Sequence, residues 1–153
     1  MNPSDPIVLR VVRRFEASPE RVFDAWLQPA TARQFLFATA EGDMQKVEID
    51  ARVGGGFVIV ERRGEELAEH YGVYLEIDRP RRLVFAFSAE KPDPDGSRVS
   101  IDIVPHGSGC ELTLTHRMAP EWKDYAERTQ AGWTTILESL ARALAAVQGA
   151  ETR

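Results

Sequence analysis

The chain has 153 residues, enough for one well-buried core and too few for two ordinary domains. Hydrophobic residues make up 43% and charged residues 28%, an ordinary balance for a globular protein, and the formal charge is −5. A nucleic-acid module needs a basic face, but the densest basic group, Arg10, Arg13 and Arg14, is interleaved with Leu9, Val11, Val12 and Phe15 and reads as a strand. No nucleic-acid partner is therefore expected.

A single cysteine, Cys110, excludes an internal disulfide and fits a reducing compartment. No signal-peptide core or membrane-length apolar run is present, so a cytoplasmic location and no membrane span are expected.

In chain order, residues 1–6 carry two prolines and read as a flexible terminus. Ile7 to Phe15 is rich in β-branched residues and reads as a strand. Ser18-Pro19-Glu20 is a helix start: a capping hydroxyl, a proline suited to the first turn and a carboxylate at the positive helix end. Val22, Phe23, Trp26 and Leu27 form that helix's buried face. Pro29 ends it and opens a second short helix, Ala30 to Phe35, with Phe35 and Phe37 turned inward.

From Met44 the period becomes two. Val47, Ile49 and Ala51 alternate with charged residues, and Gly54-Gly55-Gly56 then turns the chain into Phe57 to Arg62. No Lys-Ser/Thr pair follows the glycines and the next element is a strand, so a tight turn or bulge is favoured over a phosphate loop. Arg62 to Glu66 reads as a solvated hairpin tip. Tyr71, Val73, Leu75 and Ile77 are expected on one strand face, Leu83, Phe85 and Phe87 on the next, and Val99, Ile101 and Ile103 after the Lys91–Gly96 loop. Cys110, Leu112, Leu114, His116 and Met118 share the inward parity of the last strand. Pro120 then starts a helical turn with Trp122 and Tyr125.

The final helix is expected over Thr129 to Val147. Trp133, Ile136, Leu137, Leu140, Leu144 and Val147 fall on one stripe at three- and four-residue spacing, and Gly149 follows as a C-cap. Short loops between strands imply a meander, and only the last helix is long enough to cover it. The expected fold class is α+β, a curved antiparallel sheet of six to seven strands wrapped around a long C-terminal helix. One domain is expected over 7–148, with a tail at 149–153. The sequence contains no repeat and no low-complexity segment.

Arg13-x-Phe15-x-Ala17-x-Pro19-x-x-Val22-Phe23-x-Ala25-Trp26-x-x-Pro29 resembles the opening of the START-like (SRPBCC, helix-grip) superfamily. More narrowly, it resembles the homologues of the activator of heat-shock-protein-90 ATPase. Val53-Gly54-Gly55-x-Phe57, Gly72 to Ile77 with Pro80-x-x-Leu83-Val84-Phe85, Gly109 to His116, and Gly132-Trp133 complete an ordered set from about Val11 to Leu144. Gln28, Phe35 and the Phe37–Gly42 stretch depart from the family's usual acidic residue, tryptophan and Trp-Gly-Pro-like turn, at the expected pocket mouth. The resemblance implies a cavity between sheet and helix that takes a small apolar or amphipathic ligand. It also implies a chaperone or other protein as partner in a stress response, and only a minority of catalytic members.

Arg13 shares parity with Leu9, Val11 and Phe15. It could clamp a ligand carboxylate inside the cavity, or stretch along apolar surface to an acid at the sheet end. His116 could be a polar anchor or general base; a core histidine is favoured, because no carboxylate partner is positioned for it. Trp26, Phe35, Phe57, Tyr71, Phe85, Trp122, Trp133 and Leu137 complete the candidate ligand-binding set, with Tyr71 and Trp122 singled out for their polar handles. No catalytic residue is assigned. Cys110 reads as an inert buried thiol, and neither a cofactor nor a metal is expected, since His70, His106 and His116 lack ligand spacing. Three uses remain open: ligand carrier, regulatory interaction module, and cyclase- or hydrolase-type enzyme.

Overall fold

The computed structural model describes residues 5–39 and 41–151, with side chains described to residue 145. Strand β1 (Ile7–Phe15) leads into helices α1 (Pro19–Ala25) and α2 (Pro29–Phe35). Six strands follow: β2 (Asp43–Ile49), β3 (Gly56–Arg63), β4 (Glu66–Asp78), β5 (Arg82–Ser88), β6 (Ser97–His106) and β7 (Gly109–Met118). A 3-10 helix, Pro120–Tyr125, then delivers the chain to α3 (Ala126–Glu151). The seven strands form one antiparallel sheet in the order β1-β7-β6-β5-β4-β3-β2. Consecutive strands β2 to β7 pair as a meander, and β1 closes the far side against β7.

The helix starts behave as their residues require. The Ser18 Oγ accepts a hydrogen bond from the Arg21 amide at 3.2 Å, and Pro19 and Pro29 open α1 and α2, where a missing N–H costs nothing. The Arg21 guanidinium donates to the Leu144 carbonyl at 3.2 Å and so ties α1 to α3. Asp24 accepts two hydrogen bonds from Arg79, at 2.7 and 2.9 Å, joining α1 to the β4–β5 turn. Those hydrogen bonds hold the Asp24 carboxyl below the usual carboxylate range.

Helix α3 buries Trp133, Leu137, Leu140, Ala143 and Leu144 against the inward faces of the strands. It begins three residues earlier than its apolar period indicates and runs through Gly149 to Glu151. Gly149 is therefore helical, not a cap, and the Val147 side chain lies outside the described residues. The inward rows of β5, β6 and β7 follow their alternation: Leu83, Phe85, Val99, Ile101, Ile103, Cys110, Leu112, Leu114, His116 and Met118 are all buried. Gly54-Gly55-Gly56 makes the β2–β3 turn. The Gly54 amide donates to Tyr74 O and the Tyr74 amide to Gly55 O, both at 2.9 Å. A Cβ on Gly56 would stand 1.9 Å from the Gly72 carbonyl oxygen, so only glycine allows the two backbones to approach there.

Strand β4 departs from its expected face. A bulge between Tyr74 and Glu76 shifts its register against β5, because Leu75 is the extra residue. Counting alternation back from Ile77 therefore puts the wrong residues inside. His70, Gly72 and Tyr74 stand opposite the inward Ile59, Phe57 and Phe85, whereas Tyr71 stands opposite Ser88 on the outer face. There its hydroxyl donates to Glu69 at 2.6 Å. Ala51, expected in a strand, lies beyond β2 and is exposed.

The bulge makes two neighbouring tyrosines unequal. Tyr74→Ala is expected to lower the unfolding free energy by about 3–5 kcal/mol, the cost of emptying a buried aromatic site. Tyr71→Ala should change it by roughly 0.5 kcal/mol or less. Urea denaturation of both variants checks the register, and equal losses would refute it.

Candidate functional site

Three side chains from three elements meet at the end of the grip where α3 begins. The Trp133 indole on α3 donates from Nε1 to His116 Nδ1 on β7 at 2.9 Å. The other imidazole nitrogen, Nε2, lies 2.8 Å from Ser97 Oγ at the start of β6. Indole N–H can only donate, so Nδ1 must be the lone-pair nitrogen and the proton must sit on Nε2. His116 therefore donates to Ser97 Oγ, and the serine hydroxyl in turn donates to the Phe87 carbonyl at 3.4 Å. The order of protons along Trp133, His116, Ser97 and Phe87 is fixed by one obligatory donor at its head.

This arrangement decides what His116 can do. Its one lone pair is taken by Trp133, and among the described residues no carboxylate is a hydrogen-bond partner, so it is not equipped as a general base. It is 3% exposed, and burial pushes its pKa down to about 4. Its partners are an indole and a hydroxyl.

A cavity of about 810 Å³ opens onto this chain of hydrogen bonds. It is lined by Phe87, Ser97, His116 and Met118 on the sheet, by Trp122 on the 3-10 helix and by Thr129 in the first turn of α3. Trp122 is half exposed at its rim, paired with Tyr125 at 5.7 Å between ring centroids, and Arg128 lies 5.9 Å over the Tyr125 ring.

The middle of the grip is packed. Phe37 is held at φ +57, a left-handed conformation that costs a bulky residue roughly 1–3 kcal/mol. Its ring stacks on His70 at 4.2 Å and Phe87 at 5.2 Å, and lies 5.6 Å from Trp133. Buried Glu61 supports that placement by accepting from the Thr39 amide, the Thr39 hydroxyl and Arg63 Nε at 2.7–2.9 Å. Burial pushes the Glu61 carboxyl upward, but the Arg63 and Thr39 hydrogen bonds outweigh it and keep the group ionised. Arg63 also donates to the Phe37 carbonyl at 3.1 Å. His70 donates from Nδ1 to the Ile59 carbonyl at 3.3 Å, and burial, chiefly, lowers its pKa to about 4.

Of the residues expected to bind a ligand, His116 and Trp122 line the cavity, and Trp133 reaches it through His116. Phe57, Phe85 and Leu137 belong to the packed core instead, as do Trp26 and Phe35, whose rings meet edge to face at 5.2 Å. Trp26 Nε1 is buried without a hydrogen-bond partner among the described residues. Arg13 is half-buried on the inward parity with its Nε unpartnered, and no ion pair to it occurs among the described residues. Tyr71 is on the outer face. The cavity lies at the β5–β6 loop and the start of α3, and neither Gln28 nor Phe35 lines it. Phe87, expected with the other aromatics as a possible pocket wall, does line the cavity, whereas Ser97, Met118, Phe37, His70 and Glu61 were not singled out. For Ser97 the available signal was its parity with Val99 and Ile101; for His70, its parity with Gly72 and Tyr74. Cys110 is buried, which raises its thiol pKa. Among the described residues no group of three metal-ligating side chains occurs, and no helix is long and apolar enough to cross a membrane.

The seven-stranded grip around a long helix, with a cavity at its open end, is the helix-grip architecture of START-like proteins. A family model described as activator of Hsp90 ATPase homolog 1-like protein matches residues 16–145, and the chain belongs to that family. Among solved structures, a Nitrosomonas europaea protein superposes with a TM-score of 0.80 at 19% identity, covering 94% of this chain and 97% of that one. A Chromobacterium violaceum protein gives 0.77 at 24% identity, covering 90% and 96%. A structure from Aeromonas hydrophila, described as AHSA1-like, gives 0.79 at 23% identity, covering 93% and 94%. At these identities the likeness is one of fold. No curated protein matches the sequence. Family membership puts the chain among ligand-binding or regulatory modules.

His70 and His116 have folded pKa values below the unfolded 6.5, so the unfolded chain takes up protons first. Their contribution to stability is complete above pH 6.5 and is lost as pH falls toward 4, by about 3 kcal/mol for each histidine. The urea midpoint should fall steadily from pH 7 to pH 4.5, and His116→Gln should flatten that slope. A slope unaffected by the substitution would place the titration elsewhere.

Proposed function

We infer that the protein binds a small apolar or amphipathic molecule in the cavity at the open end of the grip, without transforming it chemically. The observation that carries this is the cavity itself: about 810 Å³, with Phe87, Met118 and Trp122 supplying apolar wall and Ser97 with His116 supplying a polar end. That size and composition fall within the range of small-molecule sites, which are mostly apolar with a few placed polar groups. The saturated hydrogen bonding of His116 argues against the cyclase or hydrolase reading, which needs a free base beside a carboxylate.

A regulatory role toward a chaperone or another protein is the second reading. It draws on the exposed Trp122–Tyr125 pair, since aromatic residues at a surface are frequent anchors of protein interfaces. The Glu65–Glu69 hairpin edge supports it less, because Leu67 is the only large hydrophobic residue within it. A cytoplasmic setting suits both readings.

N-phenyl-1-naphthylamine, a neutral apolar fluorophore, tests the binding reading directly. Its emission should rise saturably on titration with the protein. Trp122→Ala should weaken binding about tenfold while leaving the urea midpoint within experimental error, because the half-exposed indole contributes little to folding. Absence of saturable binding would remove the carrier reading and favour the interaction module.

A further inference from the structure

We propose that the ligand of this cavity carries a hydrogen-bond-donating, positively charged head on an apolar body, an amine amphipath and not a fatty acid. This rests on the carrier reading above and specifies the head group.

Proton bookkeeping at the polar end of the cavity is the first support. His116 has no free lone pair, because Trp133 occupies Nδ1, and its only N–H is directed at Ser97. Ser97 Oγ accepts from His116 Nε2 at 2.8 Å and donates its own proton to the Phe87 carbonyl at 3.4 Å. A hydroxyl has one proton and two lone pairs. What remains at Ser97 is a single acceptor site. The hydrogen-bonded end of the cavity can therefore receive a donor, and it has no proton left to offer a carboxylate.

Charge at the rim is the second support. Glu90, Asp93, Asp95 and Glu121 all border the cavity, and none of them is in an ion pair among the described residues. Arg98 and Arg117 also border it, but they stand opposite each other in the β6–β7 register, on the strand face away from Val99, His116 and Met118. Both are exposed on that outer parity. An apolar chain could pack against Phe87, Met118 and Trp122 while an ammonium meets Ser97 Oγ and the carboxylate field. At Ser97 and His116 a carboxylate head would meet no free proton, and around them four carboxylates outnumber the two arginines.

Isothermal titration of the full chain with decylamine, 1-decanol and decanoate, each below its micelle concentration at pH 7, separates the possibilities. Decylamine should bind at one site at least tenfold more tightly than decanoate, with 1-decanol between them. Ser97→Ala should weaken decylamine and 1-decanol about tenfold and leave decanoate unchanged, and Ser97→Thr, which restores the hydroxyl, should recover most of the loss. The combined exposed substitutions Glu90→Gln, Asp95→Asn and Glu121→Gln should bring decylamine down toward 1-decanol without altering the latter. Decanoate binding as tightly as decylamine would overturn the head-group assignment while leaving the carrier reading intact. Failure of all three to bind would overturn the carrier reading, and the assignment with it.

Discussion

The hydrogen bond from Trp133 to His116 joins the long helix to the last strand inside a buried environment, and much of the site's chemistry descends from it. Because indole can only donate, the bond fixes which imidazole nitrogen carries the proton. That in turn fixes the direction of the His116–Ser97 bond and the orientation of the serine hydroxyl. Protonating His116 would put two donors face to face at Nδ1, a cost additional to that of burying the charge. The same contact ties α3, whose first turn brings Thr129 to the cavity, to the strand that carries its polar end.

The grip does not enclose one continuous hollow. Its middle is filled by Phe57, Phe85, Trp26 and Phe35 and by the stacked Phe37, which keeps a left-handed backbone to remain there. Glu61 supplies the compensation: a buried carboxylate whose acceptor capacity is met by Thr39 and Arg63 is stable where an unpaired one would not be. Gly42 is needed beside it, since a Cβ there would lie 2.2 Å from the Glu61 carboxyl carbon. Open volume adjoins this packed middle toward the β5–β6 loop and the 3-10 helix, beside Phe87 and Met118.

Much of this fold was legible in period and punctuation. Alternation placed the inward rows of β5, β6 and β7 correctly, and the helical spacing of Trp133, Leu137, Leu140 and Leu144 identified the covering stripe. Strand β4 was misread for a physical reason: a one-residue bulge at Leu75 reverses parity, and nothing in a run of Val, Tyr, Leu and Ile marks where it falls. Glu61 was hidden because it precedes Arg62-Arg63-Gly64 and looks like one more residue of a solvated tip. Its burial depends on Thr39 and Gly42 arriving from elsewhere in the chain. The site was only half visible. His116 was recognisable as an inward polar residue, but its indole donor sits on a different element, and Ser97 follows a loop whose composition says only that the chain turns. Which lone pairs are used is a tertiary fact, and it separates a structural histidine from a base.

Long-range proton–nitrogen correlation NMR of the His116 imidazole tests the proton order most directly. A proton on Nε2, a bare Nδ1, and no change between pH 8 and pH 5.5 are expected from the Trp133 donor and a pKa of about 4. A proton on Nδ1, or titration near the ordinary histidine value of about 6.5, would contradict the assigned hydrogen-bond directions and return His116 to the list of candidate bases.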